Sequence, residues 1–157
     1  MRILVVSDSH GNQDNLHKAR ELAGQIDAIV HLGDGEDDAA ILAAVEDVPV
    51  LQVAGNCDYG SLSPRERLET LAETRLLLCH GDRYGVKLGL AQLIERARSC
   101  DATVVLYGHT HQAMVEYYDG IWLINPGTLW GRAPFLSYAL LELSPDDVSA
   151  VIHKLPE

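Results

Sequence analysis

Residues 3–10 read Ile3-Leu4-Val5-Val6-Ser7-Asp8-Ser9-His10, an apolar β-forming run that leads directly into a polar segment. A short continuous apolar run of this kind is typical of a strand that is buried on both faces. An acid and a histidine follow where such a strand would give way to a loop. In α/β sheets, functional sites are built at this end of the strands. The stretch therefore predicts a buried first strand that delivers Asp8 and His10 to a site.

The same succession of an apolar run and a ligand-type residue recurs four more times along the chain. The further motifs are Gly33-Asp34, Gly55-Asn56-Cys57-Asp58, His80-Gly81 and Gly108-His109-Thr110-His111. Asp, Asn and His coordinate divalent cations through oxygen or imidazole nitrogen. In extended backbone, residues i and i+2 point to the same side, so each Asp-x-His or His-x-His pair can face one site. Five such motifs in series predict a complete set of ligands for two metal ions.

The segments between these motifs predict an α/β fold of two packed sheets flanked by helices. Three helices are expected from apolar spacing: one capped by Asp14, one from about Glu36, and one before Asp101. Their predicted apolar faces are, in order, Leu16, Ala19, Leu22 and Ala23; Ile41, Leu42 and Val45; and Val86, Leu90, Leu93, Ile94 and Ala97. After the first strand, further strands are predicted at 28–32, 48–53, 75–79 and 103–107, and a short one near Leu68 and Leu71. The last third predicts a β-meander with strands at 114–118, 121–124, 136–143 and 148–153.

Length and charge narrow the classes of function. The chain has 157 residues, which predicts one domain spanning residues 1–157. Its formal net charge of −11 argues against binding to extended nucleic acid, which needs clustered Lys and Arg. Two divalent cations would bring the charge to −11 + 4 = −7 and would concentrate positive charge in one place. A small anionic substrate can therefore be drawn to the site while polyanions are repelled.

The cysteines and the apolar runs predict a cytoplasmic protein. Cys57, Cys79 and Cys100 are odd in number and show no paired spacing, which is typical of a reducing compartment. The first apolar run is too short for an export signal. No stretch approaches the roughly 20 apolar residues that cross a bilayer, so no membrane partner is expected.

Taken together, the motif series resembles the signature of the calcineurin-like metallophosphoesterases. Within that superfamily, the small YfcE-type phosphodiesterases are the members most similar in two segments, Asn56-Cys57-Asp58 and Asn125-Pro126-Gly127-Thr128. The resemblance implies a four-layer α-β-β-α sandwich of two mixed β-sheets. It also implies hydrolysis of phosphodiester bonds by a hydroxide activated between two divalent metal ions. Mn²⁺ is favoured, with Ni²⁺, Fe²⁺ and Zn²⁺ as alternatives. One ion would be held by Asp8, His10 and His111, the other by Asn56, His80 and His109, with Asp34 bridging both.

The resemblance also places Asn56, Cys57, Asp58 and His109 among the catalytic residues. Many members of the wider superfamily carry His at the position of Cys57, as a proton donor to the leaving group. A thiol is a poorer general acid than imidazolium, so weak turnover of poor leaving groups is expected. Asp58 either orients a ligand or serves as an Asx-turn or helix cap.

Several other residues receive simpler interpretations. Asp82 stands where relatives often have His. Arg132 either reaches a substrate phosphate or lies solvated at the surface. His31 is interpreted as strand packing, and the run Glu36-Asp37-Asp38 as a charged first helical turn.

The predicted substrate is a small phosphodiester or nucleotide-like molecule, and a homo-oligomer is compatible with the sequence. The alternative is a weakly catalytic scaffold or binding protein that keeps the fold. A retromer subunit of eukaryotes, which has a similar fold, illustrates that class. The complete ligand set favours the enzyme.

Overall fold

The computed structural model describes residues 1–157, and its elements follow the predicted apolar runs closely. The helices are α1 (Gln13–Ala23), α2 (Glu36–Val45) and α3 (Ala91–Ser99), with a 3₁₀ turn at Asp82–Tyr84. The strands are β1 (Arg2–Val6), β2 (Ala28–His31), β3 (Val50–Gln52), β4 (Glu66–Leu71), β5 (Thr74–Cys79), β6 (Val104–Leu106), β7 (Met114–Tyr118), β8 (Ile121–Asn125), β9 (Ser137–Ser144) and β10 (Asp147–Lys154).

The strands form two mixed five-stranded sheets. The first has the order β10-β9-β1-β2-β3, in which β1, β2 and β3 are parallel. The second has the order β4-β5-β6-β8-β7, in which β5, β6 and β8 are parallel. Because parallel strands end at the same edge of their sheet, the loops after them gather there.

The core consists of the three interfaces of a four-layer sandwich. Side chains along β1 alternate between its two faces, so this strand contributes to two of the interfaces. Ile3 and Val5 pack between the sheets, whereas Leu4 and Val6 pack toward α1 and α2. A third cluster joins α3 to the outer face of the second sheet. The predicted architecture of two mixed sheets flanked by helices is confirmed.

The β-meander predicted for the last third is wrong. β7 and β8 form a hairpin in the second sheet, whereas β9 and β10 form one in the first. β9 pairs with β1 rather than with β8. Its apolar residues alternate between the two covered faces of the first sheet, so β9 gains burial on both sides only beside β1.

Three details of the helices also differ from the sequence predictions. Asn12, not Asp14, caps α1, because its side-chain oxygen accepts the N–H of Asn15 at 2.9 Å. In α2 the buried apolar residues are Ala39 and Leu42, whereas Ile41 and Val45 are exposed. Val86 precedes α3 but packs into its cluster.

No helix in the structure has the length and apolar character needed to cross a membrane.

The cluster between the sheets generates a stability prediction. Leu141 on β9 is completely buried in it, so Leu141→Ala should lower the free energy of unfolding by about 2–5 kcal/mol. Urea titration followed by circular dichroism, in chelator, measures the change. Leu22→Ala on α1 is the matched control, because Leu22 is 49% exposed, and it should change stability by less than about 0.5 kcal/mol. Equal losses in the two variants would contradict this assignment of the core.

Candidate metal centre

The loops that follow the parallel strands meet through backbone hydrogen bonds. The N–H of Asp8 donates to the carbonyl of Gly33 at 3.0 Å, and the N–H of His10 donates to the carbonyl of Asp34 at 2.9 Å. On the second sheet, the N–H of Gly108 donates to the carbonyl of His80 at 3.0 Å. The N–H of Cys57 donates to Asp34 Oδ1 at 2.8 Å, and the N–H of His109 donates to Asp8 Oδ2 at 3.1 Å. With these links the five motifs converge, as their positions at strand ends predicted.

The first group of potential ligands contains Asp8, His10 and His111. Asp8 Oδ1 lies 3.0 Å from His111 Nε2 and 3.6 Å from His10 Nε2, and these two nitrogens are 3.4 Å apart. Asp8 Oδ2 is occupied differently, since it accepts the hydroxyl of Ser7 at 2.5 Å and the N–H of His109 at 3.1 Å. Only Oδ1 is therefore left to face the imidazoles.

The second group contains Asp34, His80 and His109. His80 Nε2 lies 3.2 Å from Asp34 Oδ2 and 3.1 Å from His109 Nδ1. His80 Nδ1 lies 2.7 Å from the carbonyl of Leu32, which can only accept, so Nδ1 carries the proton. Once Nε2 gives up its proton, its lone pair is directed into the site and can bind a metal ion, the arrangement that metal-binding histidines usually show.

Asp34 connects the two groups. Its Oδ2 lies 3.2 Å from His80 Nε2 in one group and 3.8 Å from His10 Nε2 in the other. Its Oδ1 accepts the backbone N–H of Cys57 at 2.8 Å, which fixes the orientation of the carboxylate. One carboxylate oxygen thus faces both clusters of imidazole nitrogens.

The electrostatics favour ionised carboxylates at this place. Burial opposes ionisation of Asp8, but hydrogen bonds from His10 and His111 outweigh it and hold the pKa of Asp8 well below its usual value. The pKa of Asp34 is lowered against the same effect of burial, chiefly by His80. Burial and the neighbouring His80 lower the pKa of His109, which favours its neutral, metal-binding form.

Close backbone approach is built into the site through glycine. A Cβ at Gly55 would lie 2.1 Å from Asp34 Oδ1, and one at Gly108 would lie 2.1 Å from Ser7 Oγ. Both contacts are sterically impossible, so any other residue would displace the carboxylate of Asp34 or the hydroxyl of Ser7 that supports Asp8. The donor atoms and this confined cradle fit divalent cations with mixed nitrogen and oxygen ligands.

Backbone strain is concentrated at the predicted ligands. Five of the seven have φ in the left-handed region: Asp8 (54°), His10 (46°), Asp34 (54°), His109 (69°) and His111 (60°). Such conformations are uncommon outside glycine and collect at functional sites, where the surrounding structure holds them.

Asn56 and Cys57 lie exposed in the loop after β3, with Asn56 Nδ2 3.6 Å from Cys57 Sγ. Asn56 is the one predicted ligand outside the two groups of Asp and His donors. Cys57 Sγ lies within 4.8 Å of ligand atoms of His10 and Asp34. Burial, followed by the charge of Asp34, raises the pKa of Cys57, so this thiol stays protonated at neutral pH.

Asp58 fastens two of the loops together. Its carboxylate accepts four backbone N–H groups, at distances of 2.7–3.1 Å, from Asp34, Gly35, Glu36 and Gly55. The first three belong to the start of α2 and the fourth to the loop after β3. The interpretation as a helix cap agrees with this geometry, and the same carboxylate also holds the backbone of the loop of Asp34.

A buried polar network below Asp8 and His10 was missed by the sequence analysis. Ser9 Oγ donates to Asp38 Oδ2 at 2.6 Å and lies 2.9 Å from His31 Nε2. The three residues are at most 2% exposed. Asp38 is thus more than part of a charged helical turn, and His31 is more than packing. The only available signal was the ambiguous acidic run after Gly35.

The end of β8 and the loop after it support the site from the other side. Asn125 Nδ2 donates to the carbonyl of Gly108 at 3.1 Å and to Thr110 Oγ1 at 3.0 Å. The ring of Trp130 lies 5.7 Å from that of His10. A cavity of about 480 Å³ opens beside His10 and is lined by Trp130 and the exposed Arg132.

Asp82 and Phe135 are not members of the ligand groups. Asp82, where relatives often have His, begins the 3₁₀ turn that follows His80-Gly81. Phe135 is 46% exposed and carries Lys154 Nζ at 5.9 Å from its ring centre.

Comparison with known proteins identifies the family of this chain. The profile of the calcineurin-like phosphoesterase superfamily domain matches residues 1–146. A Bacillus subtilis protein named probable metallophosphoesterase YsnB is 35% identical, over 93% of this chain and 86% of its own. Phosphodiesterase YfcE of Escherichia coli is 29% identical, over 97% of this chain and 91% of its own.

Among solved structures, Vps29 of Entamoeba histolytica complexed with Zn²⁺ shares the fold, with a TM-score of 0.78 and 21% identity over 99% of this chain and all of that one. The family match and the names of the relatives support a metal-dependent phosphoesterase. The chain belongs to the calcineurin-like phosphoesterase superfamily.

Proposed function

We propose that this chain, acting as one domain, is a phosphodiesterase that uses two divalent cations, with Mn²⁺ favoured. Asp8, His10 and His111 hold one ion, and Asn56, His80 and His109 hold the other. The observation that carries the proposal is the position of Asp34 Oδ2, which faces His10 of one group and His80 of the other. When bound, two such cations lower the pKa of a coordinated water and neutralise charge on the phosphoryl oxygens.

The chain's own residues have separate tasks in the proposed reaction. His80 is oriented by its hydrogen bond to Leu32, and Asp34 by the N–H of Cys57. Hydrolysis breaks a P–O ester bond, and the leaving oxygen takes up a proton. Cys57 is the proposed donor of that proton, and its raised pKa makes it a weak one.

Charge and space favour a small substrate. The net charge of −11 repels polyanions, while the cavity of about 480 Å³ beside His10 has room for an ester group of a small phosphodiester or a nucleotide. Arg132 and Trp130 line this cavity. We place the reaction in the cytoplasm, a proposal supported by three free cysteines.

The first test is metal-dependent hydrolysis. Purified protein should hydrolyse bis-(p-nitrophenyl) phosphate with Mn²⁺ and lose this activity in chelator. Asp34→Asn should lower the rate by at least about 100-fold, because the shared oxygen loses its charge. Asp119→Asn, whose side chain is 71% exposed, is the control and should retain the wild-type rate. Absence of turnover with every divalent metal would instead favour the alternative, a binding protein that keeps the fold.

The role of Cys57 generates a second prediction. The wild-type rate should fall steeply as the pKa of the leaving alcohol rises, because a weak acid assists departure poorly. Cys57→His should flatten this dependence and accelerate alkyl esters by up to about 100-fold, within the range of general acid catalysis. Rates across a series of aryl and alkyl esters measure it. Cys100→Ala, which removes a buried thiol beside α3, should keep the wild-type slope. A flat wild-type dependence would exclude the proposed donor.

Asp58 generates a third prediction. Asp58→Asn replaces one acceptor oxygen with an NH₂ group, so backbone N–H groups lose their partner, at about 1–3 kcal/mol each. We expect a fall of about 2–4 kcal/mol in the free energy of unfolding and a loss of about 10–100-fold in rate. Asp146→Asn in the exposed β9–β10 turn serves as the control. A variant that keeps full stability but loses activity would favour direct contact with substrate.

A further inference from the structure

The network of Ser9, His31 and Asp38 contains the residue types of a nucleophilic triad but cannot act as one. The N–H of Gly33 donates to His31 Nδ1 at 3.2 Å, so the ring proton is on Nε2, which donates to Ser9 Oγ. The hydroxyl of Ser9 donates in turn to Asp38. In a nucleophilic triad the serine donates to the histidine, the reverse of this order. Ser9 is also fully buried, so no substrate can reach its oxygen.

The network instead joins three segments that carry the proposed ligands. Ser9 lies between Asp8 and His10, His31 lies on the strand that leads to Asp34, and Asp38 lies in the first turn of α2. Asp38 Oδ2 also accepts the N–H of Gly11 at 2.9 Å. The same carboxylate oxygen therefore holds the chain on both sides of His10.

The packing around Ser9 is tight. A Cβ at Gly35 would lie 2.0 Å from Ser9 Oγ and 2.9 Å from His31 Nε2. Ser9 points to the inside of the protein, and its neighbours Asp8 and His10 both have left-handed φ. Each such residue costs on the order of 1–3 kcal/mol unless its surroundings hold it in place.

We infer that Asp38 is a positioning residue for the first metal site: through Ser9 and Gly11 it holds Asp8 and His10 in their strained conformations. The inference rests on the proposed function, because it takes Asp8, His10 and His111 as ligands of one ion. Asp38 contacts neither His80 nor His109, and the second group is linked to it only indirectly, through the N–H of His109 on Asp8. Its effect should therefore be larger on the first ion than on the second. Partners of metal ligands typically contribute about 10–100-fold to metal affinity.

Calorimetric titration of the metal-free protein with Mn²⁺ tests this inference. The wild type should show two binding events. Asp38→Ala should weaken one of them by about 10–100-fold and weaken the other by clearly less. Asp38→Asn, which keeps an oxygen that can accept from Ser9 and Gly11, should restore most of the lost affinity. Asp37→Asn is the matched control, because it removes one charge from the exposed neighbouring residue in the same turn, and it should behave as wild type.

Electron paramagnetic resonance and thermal unfolding in chelator complete the test. One Mn²⁺ per Asp38→Ala chain should give an uncoupled spectrum, whereas the wild type with two should give a spin-coupled one. If Asp38→Ala does not fold, Ser9→Ala, which removes the hydroxyl that donates to Asp38, should weaken the same binding event. A folded Ser9→Ala with a wild-type isotherm, or a loss of affinity in Asp37→Asn, overturns the inference. The inference is overturned if folded Asp38→Ala binds Mn²⁺ as the wild type does, or if both binding events lose affinity equally. The proposed function stands in either case. A wild type that binds fewer than two ions overturns both.

Discussion

Two carboxylates held inside the protein at the ends of adjacent parallel strands are the constraint on which this structure depends. Asp8 is fully buried and Asp34 nearly so, and each faces imidazole nitrogens instead of water. Burial of an ionised carboxylate is costly unless positive charge or hydrogen bonds compensate for it. Here the compensation comes partly from His10, His80 and His111, and divalent cations would supply the rest. The loops are arranged to bring these groups together.

This constraint explains why the loops around the site carry so much polar support. Asp8 Oδ2 is held by Ser7 and His109, Asp34 Oδ1 by Cys57, and the loop of Asp34 by Asp58. In Asp8 and in Asp34, these contacts fix one carboxylate oxygen and leave the other directed at the site. Ligand geometry at metal centres depends on such partners. The left-handed residues at the site have the same origin, because short loops must turn sharply to aim side chains at a common point.

The sequence predicted the parts of this molecule that depend on local pattern. Apolar runs located nearly every strand, and the residues after them identified the converging loops, because both signals lie within a few neighbouring positions. The β-meander was wrong because pairing of β9 with β1 depends on burial across more than a hundred residues of chain. Asp38 was missed for a related reason. An acid in the first turn of a helix already has a sufficient local explanation in the helix dipole, and only the fold shows that its side chain points inward to Ser9.

The likeness to Vps29 shows that the four-layer fold is shared among sequences that differ at about four positions in five. The sandwich itself is built from the three apolar clusters and does not require acids at the ends of β1 and β2. A protein that used this fold only to bind partners through its surface could carry apolar residues in place of Asp8 and Asp34 with little loss of stability. Buried ionic groups often stabilise a protein no better than well-packed apolar ones. This chain instead keeps the buried carboxylates, the strained loops and the glycines that make room for them. These features lower stability, and the apolar sandwich alone gives no physical reason for them.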